Sequence, residues 1–266
     1  MQRALAPALL LCGLAAAPIL CAQTPAARPV TTGFLTPAQM PDVTRIIPAP
    51  PGTSDSRFST DMAVYRATRA LEGSPRWKLA QSDDDVSNDG LFKAFACALG
   101  GRLTRENAPL TTALVASANV DSNRASNTLK QFDQHLRPFQ VEDRQVCVTA
   151  EEKERLSRSP DYPSGHTTMS WEAGLVLSDV APEHASAILT RAREYGESRV
   201  VCGVHNLSAV QAGWLTAATV FAVQQQSSDF QEAVKAARVE FEHLKLERPN
   251  ASTCDADAAA LQKDPY

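Results

Sequence analysis

Side chains suited to binding and moving an oxyanion recur in three short stretches of the chain. Lys130 and Arg137 have six residues between them, and Pro138 follows. Pro163-Ser164-Gly165-His166 sets a hydroxyl, an unhindered backbone and an imidazole side by side. Ser198-Arg199 is followed, after five residues, by His205. Guanidinium forks such as those of Arg137 and Arg199 match the oxygens of a phosphate, and Lys130 adds a point charge. Ser164 can donate its hydroxyl. Gly165 permits close backbone approach, and its N–H stands where a helix would begin, a position whose dipole favours an anion. His166 and His205 supply what covalent group transfer needs, a nucleophile and an acid. The chemistry these groups suit is phosphoryl transfer, in which charge on three equatorial oxygens is stabilised by fixed positive groups.

Such groups need elements to hold them. Apolar residues recur at three- and four-residue spacing along most of the chain and strand signals are few, so the expected fold is all-α, a single helical domain over 59–250. Helices are expected over 61–73, capped by Ser59 or Thr60, and over 90–99, ended by Gly100-Gly101. A longer one runs from 108 towards 136 and stops before Arg137-Pro138. Others are read at 150–156, 165–180, 182–198, 205–224 and 230–246. Pro25, Pro29, Pro37, Pro41, Pro48, Pro50 and Pro51 argue for an extended arm over 23–58, and 251–266 reads as a tail.

The 266 residues carry 26 Lys and Arg against 30 Asp and Glu, a net charge of −4 that offers no basic excess for a nucleic acid. Beyond the N-terminus no apolar run is long enough for a membrane helix, so no membrane insertion is expected. Residues 1–22 have one charge, Arg3, then an apolar stretch and small residues. That pattern reads as a signal peptide cleaved after Ala22, which would deliver a periplasmic or secreted protein. Cys97, Cys147, Cys202 and Cys254 would remain, an even number suited to two disulfides. Three pairings are open, and the preferred one is Cys97–Cys147 with Cys202–Cys254. Their spacing matches no zinc pattern, so neither a metal site nor another cofactor is expected. His135, His184 and His243 are read as surface or structural residues, His135 lying between Lys130 and Arg137.

Taken in order, Lys-x6-Arg-Pro, Pro-Ser-Gly-His and Ser-Arg-x5-His resemble the three-part signature of the type-2 phosphatidic-acid phosphatase superfamily. Tyr162-Pro-Ser-Gly-His-Thr and Gly196-Glu-Ser-Arg-Val-Val-Cys-Gly look like the bacterial class A non-specific acid phosphatases, as does the Tyr65-Arg-Ala-Thr-Arg helix after the Pro-Pro segment. The resemblance implies a helical domain of the acid phosphatase and vanadium haloperoxidase type, acting on small phosphomonoesters and assembling as a homo-oligomer. It implies that His205 attacks phosphorus, that His166 protonates the leaving alkoxide, and that Lys130, Arg137, Ser164, Gly165 and Arg199 bind phosphate without a metal. Transfer of phosphate to alcohols would use the same chemistry. A vanadate-dependent haloperoxidase and a non-catalytic phosphate binder are the alternatives. The departure from the pattern is at the third motif, which usually continues His-x3-Asp. Here Ala209 stands where the orienting carboxylate is expected. A backbone carbonyl, Ser208, or an acid from elsewhere such as Glu194 or Glu197 could take over that role.

Overall fold

The computed structural model describes residues 32–132, 134–262 and 264–266. The expected signal peptide and its cleavage site lie outside them. The described residues form helices and no strands. In chain order these are α1 (Val43–Ile46), α2 (Ser56–Thr68), α3 (Pro75–Ser82), α4 (Asn88–Leu99), α5 (Pro109–Phe132) and α6 (Pro138–Val141). There follow α7 (Ala150–Ser157), α8 (Gly165–Val180), α9 (Ala185–Cys202), α10 (Leu207–Gln224), α11 (Ser228–His243) and α12 (Ala251–Ala260).

Helix α8 lies at the centre, with α5, α9 and α10 packed around it. Leu177, Val176 and Ala173 of α8 meet Phe92 and Phe95 of α4, Val115 and Ala118 of α5, Ile188 and Ala192 of α9 and Phe230 of α11. Burying a side chain of this size contributes about 1.5–3 kcal/mol, and this cluster is the main source of the fold's stability. A second cluster, Met62, Tyr65, Trp77, Phe139, Leu156 and Val201, closes the end of the molecule that carries the Ser198–His205 segment.

Several elements differ from the sequence expectation for identifiable reasons. Helix α2 starts ahead of Ser59 because Asp55 caps it, accepting the Arg57 N–H. Helix α3 was not expected, although Ser74 caps it and Pro75 occupies its first turn. Helix α5 stops at Phe132, so Arg137 leaves its axis and opens α6, where Pro138 in the first turn needs no N–H donor. Helix α9 runs past Ser198 to Cys202. The Pro-rich arm is seated on the body: Leu35, Val43 and Ile47 pack against Ala125, Leu129 and Tyr162.

The preferred disulfide pairing is corrected. The bonds are Cys97–Cys254 and Cys147–Cys202, with Cα atoms 5.7 and 4.6 Å apart. The expected tail is helix α12, which returns Cys254 to α4. The segment before α7 runs alongside the end of α9, where the Cys147 N–H donates to the Cys202 carbonyl at 2.9 Å. Closing loops of 157 and 55 residues is worth at most about 4–5 kcal/mol each. We expect Cys97→Ser with Cys254→Ser to lower the thermal midpoint by roughly 10 °C and leave turnover near wild type. The Cys147→Ser and Cys202→Ser pair should lower both, because Cys202 lies between Arg199 and His205. Differential scanning calorimetry with an activity assay checks this; unchanged midpoints would contradict it.

Candidate active site

The Pro163–His166 segment leads into α8, which begins at Gly165. Ser164 is its N-cap residue, its Oγ accepting the Thr167 N–H at 3.3 Å. The Tyr162–Pro163 peptide is cis. The turn is held from below by α10, since the Ser164 N–H donates to the Ala209 carbonyl at 2.9 Å. Close packing at that crossing requires Gly213: a Cβ there would lie 2.9 Å from both the Ser164 oxygen and Thr167. The N-terminus of α8, with Gly165 first, therefore meets the loop that ends α9 and begins α10. Gly203 makes that loop, with φ of +80°, a conformation other residues adopt at a cost. Arg69 fixes its outer side by donating to the carbonyls of Val200 and Val201 at the C-terminal end of α9.

Three cations converge on this point from different elements. Lys130, in the last turn of α5, donates to the Pro160 carbonyl at 2.7 Å. Arg137 donates through Nε to Leu156 O and Ser159 O, at 2.9 and 3.0 Å, and through Nη1 to Val204 O at 2.7 Å. Arg199, from the last turn of α9, is 0% exposed and donates through Nη2 to Asp84 Oδ1 at 2.7 Å. Its Nε and Nη1 are buried with no protein acceptor. Buried guanidinium donors without acceptors are costly, and an oxyanion is the partner they fit. Burial together with Arg137 brings Lys130 down to about 8, and burial leads in bringing Arg137 to about 10. An arriving anion relieves both effects.

The geometry defines the tautomer of His205. Its Nε2 lies 3.1 Å from Arg137 Nη1, and a guanidinium can only donate, so Nε2 carries the lone pair. The proton is then on Nδ1, which lies 2.8 Å from Asp161 Oδ1. Burial first, then Arg137, pushes His205 down to about 3, against the opposing pull of Asp161. The ring is thus neutral across the mildly acidic range with its lone pair facing the cradle. His166 has the complementary arrangement. Its Nε2 is 3.0 Å from the Asp84 carbonyl oxygen, which can only accept, so Nε2 bears a proton. Burial, then Arg199 and His205, hold His166 well below the usual histidine range.

Two acids that the sequence reading passed over complete the arrangement. Asp84 joins Arg199 to His166 through its carboxylate and its carbonyl. Its neighbour Asp83 accepts from Ser198 Oγ at 2.6 Å and from Arg191, so Ser198 fastens the Asp83–Asp84 turn to α9. Asp161 is the other. Of the acceptors expected for His205, Ser208 instead gives its Oγ–H and N–H to Asp61. Glu197 pairs with Arg193, and Glu194 also faces Arg193. The carbonyl of Ala209 serves Ser164. Asp161 stands two residues before Pro163, and that adjacency was its one trace in the sequence. His135, read as surface or structural, places Nδ1 3.4 Å from Asp161 Oδ2.

Among the described residues no group of three or more His, Cys, Asp or Glu side chains is placed to hold a metal ion, and no helix is long and apolar enough to cross a membrane. The PAP2 superfamily model matches residues 109–230, the stretch from α5 to α11 that holds these cations and histidines. An acid phosphatase of Zymomonas mobilis is 36% identical over 219 residues, covering 80% of this chain and 81% of its own. Non-specific acid phosphatases of Providencia stuartii and Salmonella typhi are 33% and 34% identical, covering 80% and 73% of this chain and 86% and 78% of their own. Placed beside an all-helical fold whose helix ends gather three cations, this likeness shows that the chain belongs to the PAP2 superfamily and, within it, to the non-specific acid phosphatases.

Proposed function

We propose that this acid phosphatase hydrolyses phosphomonoesters of broad structure through a phosphohistidine formed on His205. The observation that carries the reading is the pairing of a neutral His205, Nε2 lone pair inward, with the Nε and Nη1 donors of Arg199 that have no protein acceptor. The phosphoryl oxygens would take those donors, Arg137 Nη2, Lys130, the Ser164 hydroxyl and the Gly165 N–H. Nε2 then attacks phosphorus as the ester P–O bond breaks, and the leaving oxygen takes a proton from His166. In the second half His166 takes a proton from water as its oxygen bonds to phosphorus, and the N–P electron pair returns to Nε2. An alcohol in place of water gives phosphate transfer. The cradle grips the phosphoryl group by fixed charge, which leaves the rest of the substrate loosely read. The three cations supply the charge stabilisation that a metal ion gives elsewhere, so no metal is required. Export through residues 1–22 fits the two disulfides, which persist in an oxidising compartment; mass spectrometry of the mature protein should find Gln23 first.

Quenching the enzyme in alkaline detergent during turnover of a radiolabelled phosphomonoester should trap label on His205, since the N–P bond of a phosphohistidine survives alkali and not acid. His205→Ala should lose label and at least about 10³-fold in kcat. Activity that survives His205→Ala would refute the mechanism.

The histidine shifts also set the pH profile. The active form needs His205 neutral, which holds above about 3, and His166 protonated, which in the free enzyme holds only well below its usual range. A bound phosphoryl anion favours the charged form of His166. The basic limb of kcat should therefore lie at higher pH than that of kcat/KM, since the latter reports the free enzyme. Coincident basic limbs, or a flat profile from acid to neutral pH, would contradict this assignment.

A further inference from the structure

We infer that Asp161 is the positioning residue for His205, and that the orienting carboxylate of this site has moved from position 209 to the loop ahead of α8. The inference rests on the phosphohistidine reading above and adds the group that sets the nucleophile's tautomer.

The carboxylate of Asp161 is fully buried and receives hydrogen bonds along both edges. Oδ1 takes the His205 Nδ1–H at 2.8 Å and the Asn206 backbone N–H at 3.4 Å. Oδ2 takes the Asn206 Nδ2–H at 2.9 Å, with His135 Nδ1 at 3.4 Å. Asn206 in turn donates to the Leu136 carbonyl at 3.2 Å, and the Asp161 N–H donates to the His135 carbonyl at 2.9 Å. Burial alone would raise this carboxyl, but hydrogen bonds from His135 and His205, with Arg137 beyond, hold it below the usual carboxylate range. It is therefore an anion, and it faces the ring nitrogen that must become positive when Nε2 forms its bond to phosphorus.

Position 209 shows the converse. Ala209 is completely buried in an apolar cluster with Leu129, Ala125 and Tyr162. It lies one helical turn after His205, and in this setting a carboxylate would be desolvated and close to a second carboxylate, Asp161. The two positions therefore exclude each other: one anion serves the ring, and two would repel. The relocation also changes what the orienter is attached to. Asp161 is continuous with Pro163-Ser164-Gly165-His166, so the loop that binds phosphate and carries the acid also holds the nucleophile.

The test is a set of four variants: Asp161→Asn, Asp161→Ala, Ala209→Asp, and Asp161→Ala with Ala209→Asp. We expect Asp161→Asn and Asp161→Ala to lower kcat by about 10²–10⁴-fold. Binding of inorganic phosphate should stay within about threefold, because no phosphate donor is removed. Ala209→Asp alone should lower the thermal midpoint and give no gain in kcat. In the Asp161→Ala background the same substitution should raise kcat at least about tenfold, a reversal of sign that a purely structural role for Asp161 does not produce. The far-downfield proton resonance of the His205 Nδ1–H should be present in the wild type and lost in Asp161→Asn. A kcat for Asp161→Asn within threefold of wild type, or an unchanged resonance, overturns the inference. So does a gain from Ala209→Asp in the wild-type background. His205→Ala separates the levels: if it is inactive while Asp161→Ala is fully active, this inference fails alone; if it is active, the phosphohistidine reading fails first.

Discussion

Gathering like charges inside a protein is unfavourable, and the rest of this structure is organised around the place where it happens. Lys130, Arg137 and Arg199 are buried or nearly so, close enough that Arg137 depresses Lys130. Two kinds of group offset the repulsion. Main-chain carbonyls of Leu156, Ser159, Pro160 and Val204 take the hydrogens that point away from the cradle. Asp84 takes one side of Arg199, leaving its Nε and Nη1 inward. On the proposed reading a phosphoryl group would meet cations already fixed in place, which is the condition under which electrostatic stabilisation is strongest.

The helical scaffold follows from that need. Each cation sits at a helix end: Lys130 closes α5, Arg137 caps α6 and Arg199 lies in the last turn of α9. Side chains there can reach the meeting point of several helices without displacing the apolar core. The N-terminus of α8, where the helix dipole favours an anion, lies beside them, since Arg199 and Arg137 both act on His166 of its first turn. The Cys147–Cys202 bond and Arg69 hold the α9 end, so the loop from Gly203 to His205 is anchored on both sides.

Much of this was legible in the chain. The helices α4, α7, α8, α10 and α11 follow from apolar spacing and caps, and residue types with their intervals single out Lys130, Arg137, Ser164, Gly165, His166, Arg199 and His205 as the candidate site proposed above. What escaped was tertiary in origin. No local pattern says that α12 carries Cys254 back to α4, so the disulfide pairing was misassigned. Nothing in the spacing between Asp84 and Arg199 announces that a turn after α3 reaches the end of α9. The loss of an acid at Ala209 was visible, but its replacement lies 44 residues upstream of His205, and only the fold brings the two together.

A crystal structure with orthovanadate, a trigonal mimic of the transferring group, tests most directly whether one oxyanion site, bounded by three cations, presents phosphorus to Nε2 of His205. Vanadium is expected within bonding distance of His205 Nε2. Its equatorial oxygens should lie on Arg199 Nε and Nη1, Arg137, Lys130 and the Gly165 N–H, with His166 beside the apical oxygen. Vanadate bonded to His166, or bound away from Arg199, would contradict it.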